Sequence, residues 1–294
     1  MKIQAKILAD SISERGDRIT TYLLTFPRII LAEFNTHRAF SRNSASSRAI
    51  PFKKMVESVQ TNPFIPIAWQ KDHKGMQGTE YLSDAPAGVS DKEFAIDMWL
   101  EARDAAVINS KILNDTGVTK QLCNRLLEPF MWHTVICTAT EYENFFKLRD
   151  HEAAEIHIQE LARRMKEAMS NSTPKVLQTG EWHIPFGDTI DLSGEKYAEA
   201  AINEEGNWEE VAMKIATAKC ARVSYTTVGS TSSNSHTADI ELYNRLLESG
   251  HMSPFEHCAQ VMEPERYFER PYSRNFRGFM QYRELVEDVE IIPH

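Results

Sequence analysis

Three arginines, Arg38, Arg42 and Arg48, share the segment 35–51 with His37, Asn43, Ser41, Ser44, Ser46 and Ser47, directly after the apolar run 29–32. Guanidinium groups bind phosphate through paired, directional hydrogen bonds, and hydroxyls with loop N–H groups add further donors. If a helix ends near His37, the three arginines come close to Ser41, Ser46 and Ser47 and form a cradle for an anion. The same composition fits a polar loop whose arginines pair with surface carboxylates, and the segment alone leaves both readings open.

Two further groups carry chemistry. Arg125 precedes an apolar stretch, and Arg149 stands beside Phe145 and Phe146 at the start of an amphipathic pattern. An arginine beside aromatic rings at a helix start can face an anion or a flat heterocycle, or it can pair with Asp150 or Glu152. His251 and His257 are six residues apart, which does not put two ligands on one helical face, so no metal site is expected. Glu256 and His257 follow a Ser-Pro turn and read as a buried pair. A Walker loop and a GxGxxG string are both absent from the sequence.

The elements that must position these groups follow from periodicity. Residues 2–9 and 18–25 alternate as strands around an ERGD turn. Pro27 suits the first turn of a helix through Ile29, Ile30, Leu31 and Phe34. Ser90 and Glu93 form a capping-box pattern ahead of a helix with Ile96, Trp99, Leu100 and Val107. A helix is expected over 150–169, with Ala154, Ile158, Leu161, Met165 and Met169 on one stripe. Another is expected over 238–249, ended by Gly250. Few strands with longer helices predict an α+β fold, a single domain over 1–294 with a mixed or antiparallel sheet and loop-rich insertions near 61–92 and 171–207.

Of 294 residues, 42% are hydrophobic and 26% charged, as in a globular protein. A net charge of −9 argues against a nucleic-acid binder, yet allows a small phosphorylated substrate in a local basic pocket. Four dispersed cysteines without a CxxC pair fit reduced thiols in a cytosolic protein. The N-terminus lacks an apolar leader, and no run is long enough to cross a membrane. The expectation is a soluble, cytoplasmic protein (in the host cytoplasm for a viral chain) with no membrane partner.

Together these segments resemble the flavin-dependent thymidylate synthase family. The string "THRAFSRNSASSR" matches its R-H-R-x-x-S-x-N-x-x-S-x-R signature at His37, Arg38, Ser41, Asn43, Ser46 and Arg48. Arg125 and Pro129, then Asn144, Phe145, Leu148 and Arg149, match its "AR-x-x-LP" and "N-F-x-x-LR" elements. Gly250, His251, Ser253, Glu256 and His257 match "GH-x-(S/T)-x-x-EH", and "CARVSY" at 220–225 is similar to "AARVSY". In the family the last two elements come first, so this chain reads as a circular permutation. Three positions depart from the pattern: Thr36 for the first arginine, Glu33 for a glutamine and Ser44 for an acid. Arg277, Gln281 or Arg283 are candidates to replace the missing donors.

The resemblance implies reductive methylation of dUMP to dTMP, with methylenetetrahydrofolate and NADPH as co-substrates and FAD as cofactor. It implies that Arg48, Ser46 and Arg125 hold the nucleotide phosphate and that Arg149 contacts the uracil, Arg149 and Ser46 forming the catalytic set. His37, Arg38, Asn43, Asn144, Ser224 and His257 are implied to line the flavin. Nothing in the spacing supplies a base that would make Ser46 a nucleophile. The resemblance further implies a homotetramer with active sites between subunits. A related flavin-dependent pyrimidine-modifying enzyme and a non-catalytic nucleotide-binding protein of the same fold are the alternatives.

Overall fold

A computed structural model describes residues 1–74, 78, 80–83, 90–190, 208–223 and 236–289. The hairpin expected at the N-terminus is present as β1 (Gln4–Ser13) and β2 (Arg18–Pro27). After β2 the chain makes a 3-10 turn over Arg28–Ile30 and a single α turn, α1 (Leu31–Phe34), and then enters β3 (Ser41–Ser44). The helix predicted after Pro27 is therefore short and split. β4 (Trp132–Ala139) lies between β2 and β3 and is buried along all but its first residue. β5 (Lys175–Leu177) adds in parallel to β1, giving a mixed five-stranded sheet in the order β3-β4-β2-β1-β5.

Helices cover this sheet. Between β3 and β4 run α2 (Phe52–Thr61), α3 (Asp91–Asp115), α4 (Lys120–Cys123) and a 3-10 segment over Asn124–Phe130. The capping box read from Ser90 and Glu93 is formed on both sides. After β4 come α5 (Glu143–Arg149) and α6 (Ile156–Ser170). The helix expected from 150 thus begins six residues later. Its start is set by Glu155, whose carboxylate accepts the N–H groups of His157 (2.8 Å) and Ile158 (3.1 Å). α1, α5 and α6 bury Phe34, Phe145, Ile158, Leu161 and Met165 against Tyr22, Leu24 and Phe26 of the sheet.

The C-terminal half adds β6 (Trp182–His183), α7 (Trp208–Arg222), α8 (His236–Glu248), β7 (Ala259–Val261), α9 (Pro264–Glu269), β8 (Tyr272–Ser273), β9 (Phe276–Arg277), β10 (Phe279–Gln281) and α10 (Tyr282–Val289). β10, β7 and β6 form an antiparallel sheet, and β8 pairs with β9. Gly250 takes φ +67° just past α8, the left-handed stop anticipated for it. Gly278 has a firmer requirement. Its φ is +75°, and a Cβ there would lie 2.5 Å from a carboxylate oxygen of Asp17 in the β1–β2 turn. A side chain at 278 would push the second sheet away from the first hairpin.

A polar thread joins the two sheets through their common interior. Ser11 Oγ is hydrogen-bonded to His183 Nδ1 (2.9 Å), and His183 Nε2 to Thr21 Oγ1 (2.8 Å). Thr21 Oγ1 is bonded to Thr138 Oγ1 (2.7 Å), and Thr138 Oγ1 to His257 Nδ1 (2.8 Å). Burial holds His133, His183 and His257 each down at about 3, so all three are neutral in the fold.

That neutrality sets a pH dependence. A histidine whose folded value lies below its unfolded 6.5 contributes stability above that pH, and the contribution is lost as pH falls toward the folded value. We expect the denaturant midpoint to drop between pH 6.5 and 5, above the range in which ordinary carboxylates titrate. A midpoint that stays flat from pH 7 to 5 would contradict this account of the buried imidazoles.

Candidate active site

Arg149 and His37 are 112 residues apart in sequence and meet at the end of α5. Arg149 Nε donates to His37 Nε2 at 3.0 Å, and a terminal nitrogen of the same guanidinium reaches the Thr36 hydroxyl at 3.5 Å. The His37 ring packs edge-on to Phe145 (4.8 Å between centroids) and stacks on Phe40 (5.8 Å). Accepting at Nε2 places the proton of neutral His37 on Nδ1. Burial, with Arg149 and Arg42 as like-charged neighbours, lowers His37 to about 4. Arg149 therefore lies against a neutral ring. Asp150, its expected alternative partner, is held by Lys166 (2.8 Å) and Arg163 (3.4 Å).

Glu33, on α1 beside this contact, has one carboxylate oxygen buried without a hydrogen-bond partner. Burial and the neighbouring Glu155 raise its pKa, opposed by Arg149 and His157. Thr36, which stands where the resembled family has arginine, donates to the Glu33 carbonyl (2.7 Å) and receives Arg149.

The arginines of the 35–51 segment do not converge as the sequence suggested. β-strand alternation and the short α1 send them in different directions. Arg42 folds back to donate to the carbonyls of Phe34 (3.3 Å) and His37 (3.1 Å), which satisfies the open end of α1. Arg38 is exposed on the turn before β3. Arg48 and Ser46 line a cavity of about 460 Å³ together with Asn43, Gln121, His251 and Ser253. Arg125 lines a second cavity, about 480 Å³, with Arg28, Asn35 and Glu128. Arg28 had no signal in the sequence. It enters this group because the 28–35 segment folds over 125–129.

Arg38, Arg48 and Arg125 are exposed and have no carboxylate partner among the described residues. This answers the question left open by composition: these three guanidinium groups are not neutralised by surface acids. By contrast, the arginines and glutamine proposed to replace the missing donors are committed elsewhere. Arg277 pairs with Asp17, and Arg283 pairs with Glu256 and Glu287. Gln281 is fully buried and donates to Ser41 Oγ (3.2 Å) and Asn275 Oδ1 (2.9 Å), tying β10 to β3.

The 250–257 segment packs on β3, so the two motifs that are far apart in sequence are neighbours in space. Ser253 Oγ donates to Asn43 Oδ1 (3.2 Å), while Asn43 Nδ2 donates to the Cys220 carbonyl (2.5 Å). Asn43 thus uses both ends of its amide as a brace between α7, β3 and the 250–257 segment. His257, expected beside the flavin, is fully buried and bonded to Thr138. Its Nε2 has no partner among the described residues. Asn144 is exposed on the first turn of α5, with its side chain free among the described residues. Ser224 lies outside the described residues.

The family model described as thymidylate synthase complementing protein, Thy1, matches residues 18–175. That span includes Arg38, Arg48, Arg125 and Arg149 and stops before the 250–257 segment. No curated protein matches the sequence. Among solved structures, the chain is similar to a UMP/dUMP methylase, PolB from Streptomyces cacaoi, bound with 5-Br dUMP, at 15% identity and TM-score 0.43, covering 57% of this chain and 90% of that one. The same methylase bound with 5-Br UMP gives 15% identity and TM-score 0.44, covering 57% of this chain and 89% of that one.

The Arg149–His37 contact yields a direct test. Replacing Arg149 with methionine removes one of the two cations that lower His37, while its burial persists. The His37 pKa should rise from about 4 and remain below 6.5, as read by NMR titration of the ring. An unchanged value would show that Arg149 does not act on this ring.

Proposed function

The chain belongs to the thymidylate synthase complementing protein family, and on that premise we propose that it methylates dUMP to dTMP with methylenetetrahydrofolate, NADPH and FAD. The observation that carries this reading is the set of unneutralised arginines, Arg38, Arg48 and Arg125, displayed by a chain of net charge −9. Free guanidinium groups on an acidic protein concentrate anions locally. In this proposal Arg48, with Ser46, and Arg125 grip the nucleotide phosphate. Arg149, fixed by His37 and Thr36, faces the pyrimidine and stabilises the negative charge that develops as its C5 becomes nucleophilic. Ser46 acts as a hydrogen-bond donor.

The donor set also suits FAD. Arg38 and Asn144 are exposed polar groups with free hydrogen-bonding capacity, and neutral His37 is an aromatic ring held by Arg149. These residues would hold the flavin, which supplies hydride transfer when bound. The chain's own contribution is orientation and charge.

Arg48 and Arg125 line cavities that share no residue within one protomer. In this proposal one copy supplies Arg48 and another Arg125, within the homotetramer with sites between subunits that the family resemblance implies. α3 offers a surface for such an assembly. Phe94, Met98, Ile108 and Ile112 are 40–59% exposed along it, with a spacing that is the same from either end. A self-complementary stripe of this kind suits a two-fold contact.

Glu33 favours a second reading. An amide at this position both donates and accepts, whereas an ionised carboxylate only accepts. Its unpartnered oxygen suits the exocyclic amine of a 4-aminopyrimidine, so a related flavin-dependent pyrimidine-modifying enzyme is the runner-up.

Incubation with dUMP, methylenetetrahydrofolate, NADPH and FAD should yield a product of dTMP mass. Arg149→Ala should lower turnover on the order of 100-fold or more, as for loss of one charge-stabilising donor. With dCMP in place of dUMP, a methylated or hydroxymethylated cytosine nucleotide as the product would establish the second reading. Protein that stays colourless with FAD and forms no product would leave a nucleotide-binding role. For the assembly, Ile108→Glu should shift the molecular mass in light scattering toward smaller species. An unaltered mass would remove α3 from the interface.

A further inference from the structure

The thread from Ser11 through His183, Thr21 and Thr138 to His257 has a restricted proton order. No member is more than 5% exposed, and the four links measure 2.7–2.9 Å. With both imidazoles neutral, each of the five groups carries one hydrogen to place in a link. A link with two hydrogens clashes, and a link with none is lost. Once one group points toward Ser11, its neighbour must also point that way, and so on along the thread. Leaving over the hydrogen of Thr21 or Thr138 would strand it, because neither hydroxyl has a further partner among the described residues, so two intact arrangements remain.

In the first arrangement every donor points toward His257. That ring then carries its hydrogen on Nε2, which has no acceptor among the described residues. In the second, every donor points toward Ser11. His257 Nδ1–H donates to Thr138, Thr138 donates to Thr21, and Thr21 donates to His183 Nε2. His183 Nδ1–H then donates to Ser11, whose own hydroxyl hydrogen is left over. Ser11 lines a cavity of about 420 Å³ with Trp182, Asp188 and Trp208, where an acceptor or water can take that hydrogen. A buried N–H without an acceptor is rarer than a buried acceptor left unused. Both ends of the thread therefore favour the second arrangement.

We propose that Thr138, Thr21 and His183 are positioning residues that hold His257 as its Nδ1–H tautomer, leaving Nε2 as a bare buried acceptor. The tautomer is set from the Ser11 cavity, four hydrogen bonds away. Burial supplies the neutrality that the thread requires, since both rings are held at about 3. His257 directly follows the 3-10 turn Ser253–Glu256, whose Ser253 and Pro254 line the Arg48 cavity. Any part His257 plays beside the flavin rests on the proposed function, but the tautomer does not.

The full-length protein labelled with ¹⁵N-histidine decides the matter through long-range ¹H–¹⁵N correlation at pH 7. His183 and His257 should both be protonated at Nδ1, the less common form of a free imidazole side chain. In Thr138→Val the His257 signal should move toward the Nε2–H form while His183 keeps its own, because Thr21 still donates to it. Thr138→Ser should restore the original pattern. Wild-type His257 protonated at Nε2 would overturn the proposal, as would a Thr138→Val spectrum with His257 unchanged. If the valine variant does not fold, the wild-type tautomer decides alone. Thymidylate synthesis does not enter this readout, so failure of the proposed activity is a separate result.

Discussion

The antiparallel ladder between β2 and β4 is the constraint from which the rest of the site follows. It pairs eight residues of each strand, from Thr20 opposite Ala139 to Pro27 opposite Trp132. β3 then joins the other edge of β4, with Ser41 opposite Thr138. The chain leaves β2 beside Trp132 and must re-enter the sheet beside Thr138, about 20 Å away at the usual rise of a strand. Residues 28–40 make that crossing over the face of the sheet. Because the face is apolar, the crossing segment buries Ile30, Phe34 and Phe40 on it. His37 arrives at the same end of the sheet as Tyr142 and Phe145, and α5 then delivers Arg149 onto its ring. Register alone thus brings together two segments far apart in sequence.

Burial decides the charge states around this frame. His37, His133, His183 and His257 are all lowered, chiefly because their charged forms would lose hydration. Neutral rings let arginines approach. Arg149 donates to His37 and Arg28 donates to His133 (3.3 Å), so each guanidinium is located without a charge that cancels it outright at that nitrogen. Arg28 retains Glu128 at 3.5 Å, a carboxylate also bonded by Ser47. A carboxylate at position 37 would fix Arg149 equally well but would cancel its charge.

Much of this fold was legible where one interaction dominates locally. The alternation of β1 and β2, the Ser90–Glu93 capping box and the Gly250 stop all appear as read. The start of α6 was misread because its apolar stripe reaches back to Ala154, while the carboxylate of Glu155 ends the preceding turn. α7 gave no amphipathic signal because it is enclosed on most sides: Val211, Ala212 and Met213 are buried, and so are Ile215 and Ala216 after the partly buried Lys214. In the site, residue types were informative and positions were not. Arg42 looked like an anion ligand, but the short α1 left carbonyls that a nearby guanidinium could satisfy. The brace made by Asn43 depends on Cys220 and Ser253, which no local spacing can locate.

Thr36 shows why one missing arginine does not require another donor brought from the C-terminus. The Thr36 hydroxyl accepts from Arg149 at 3.5 Å and donates to Glu33 at 2.7 Å, so position 36 already lies within reach of a guanidinium. A second arginine there would place two cations side by side over the half-buried carboxylate of Glu33. The smaller hydroxyl lets Arg149 lie against His37 while its terminal nitrogen reaches Thr36. Arg277 and Gln281 instead tie β9 and β10 to the β1–β2 turn and β3 through Asp17 and Ser41, while Arg283 pairs with Glu256 in the turn before β7. The departure at position 36 and the binding of the C-terminal strands are two sides of one arrangement, in which Arg149 carries the local positive charge and the tail provides structure.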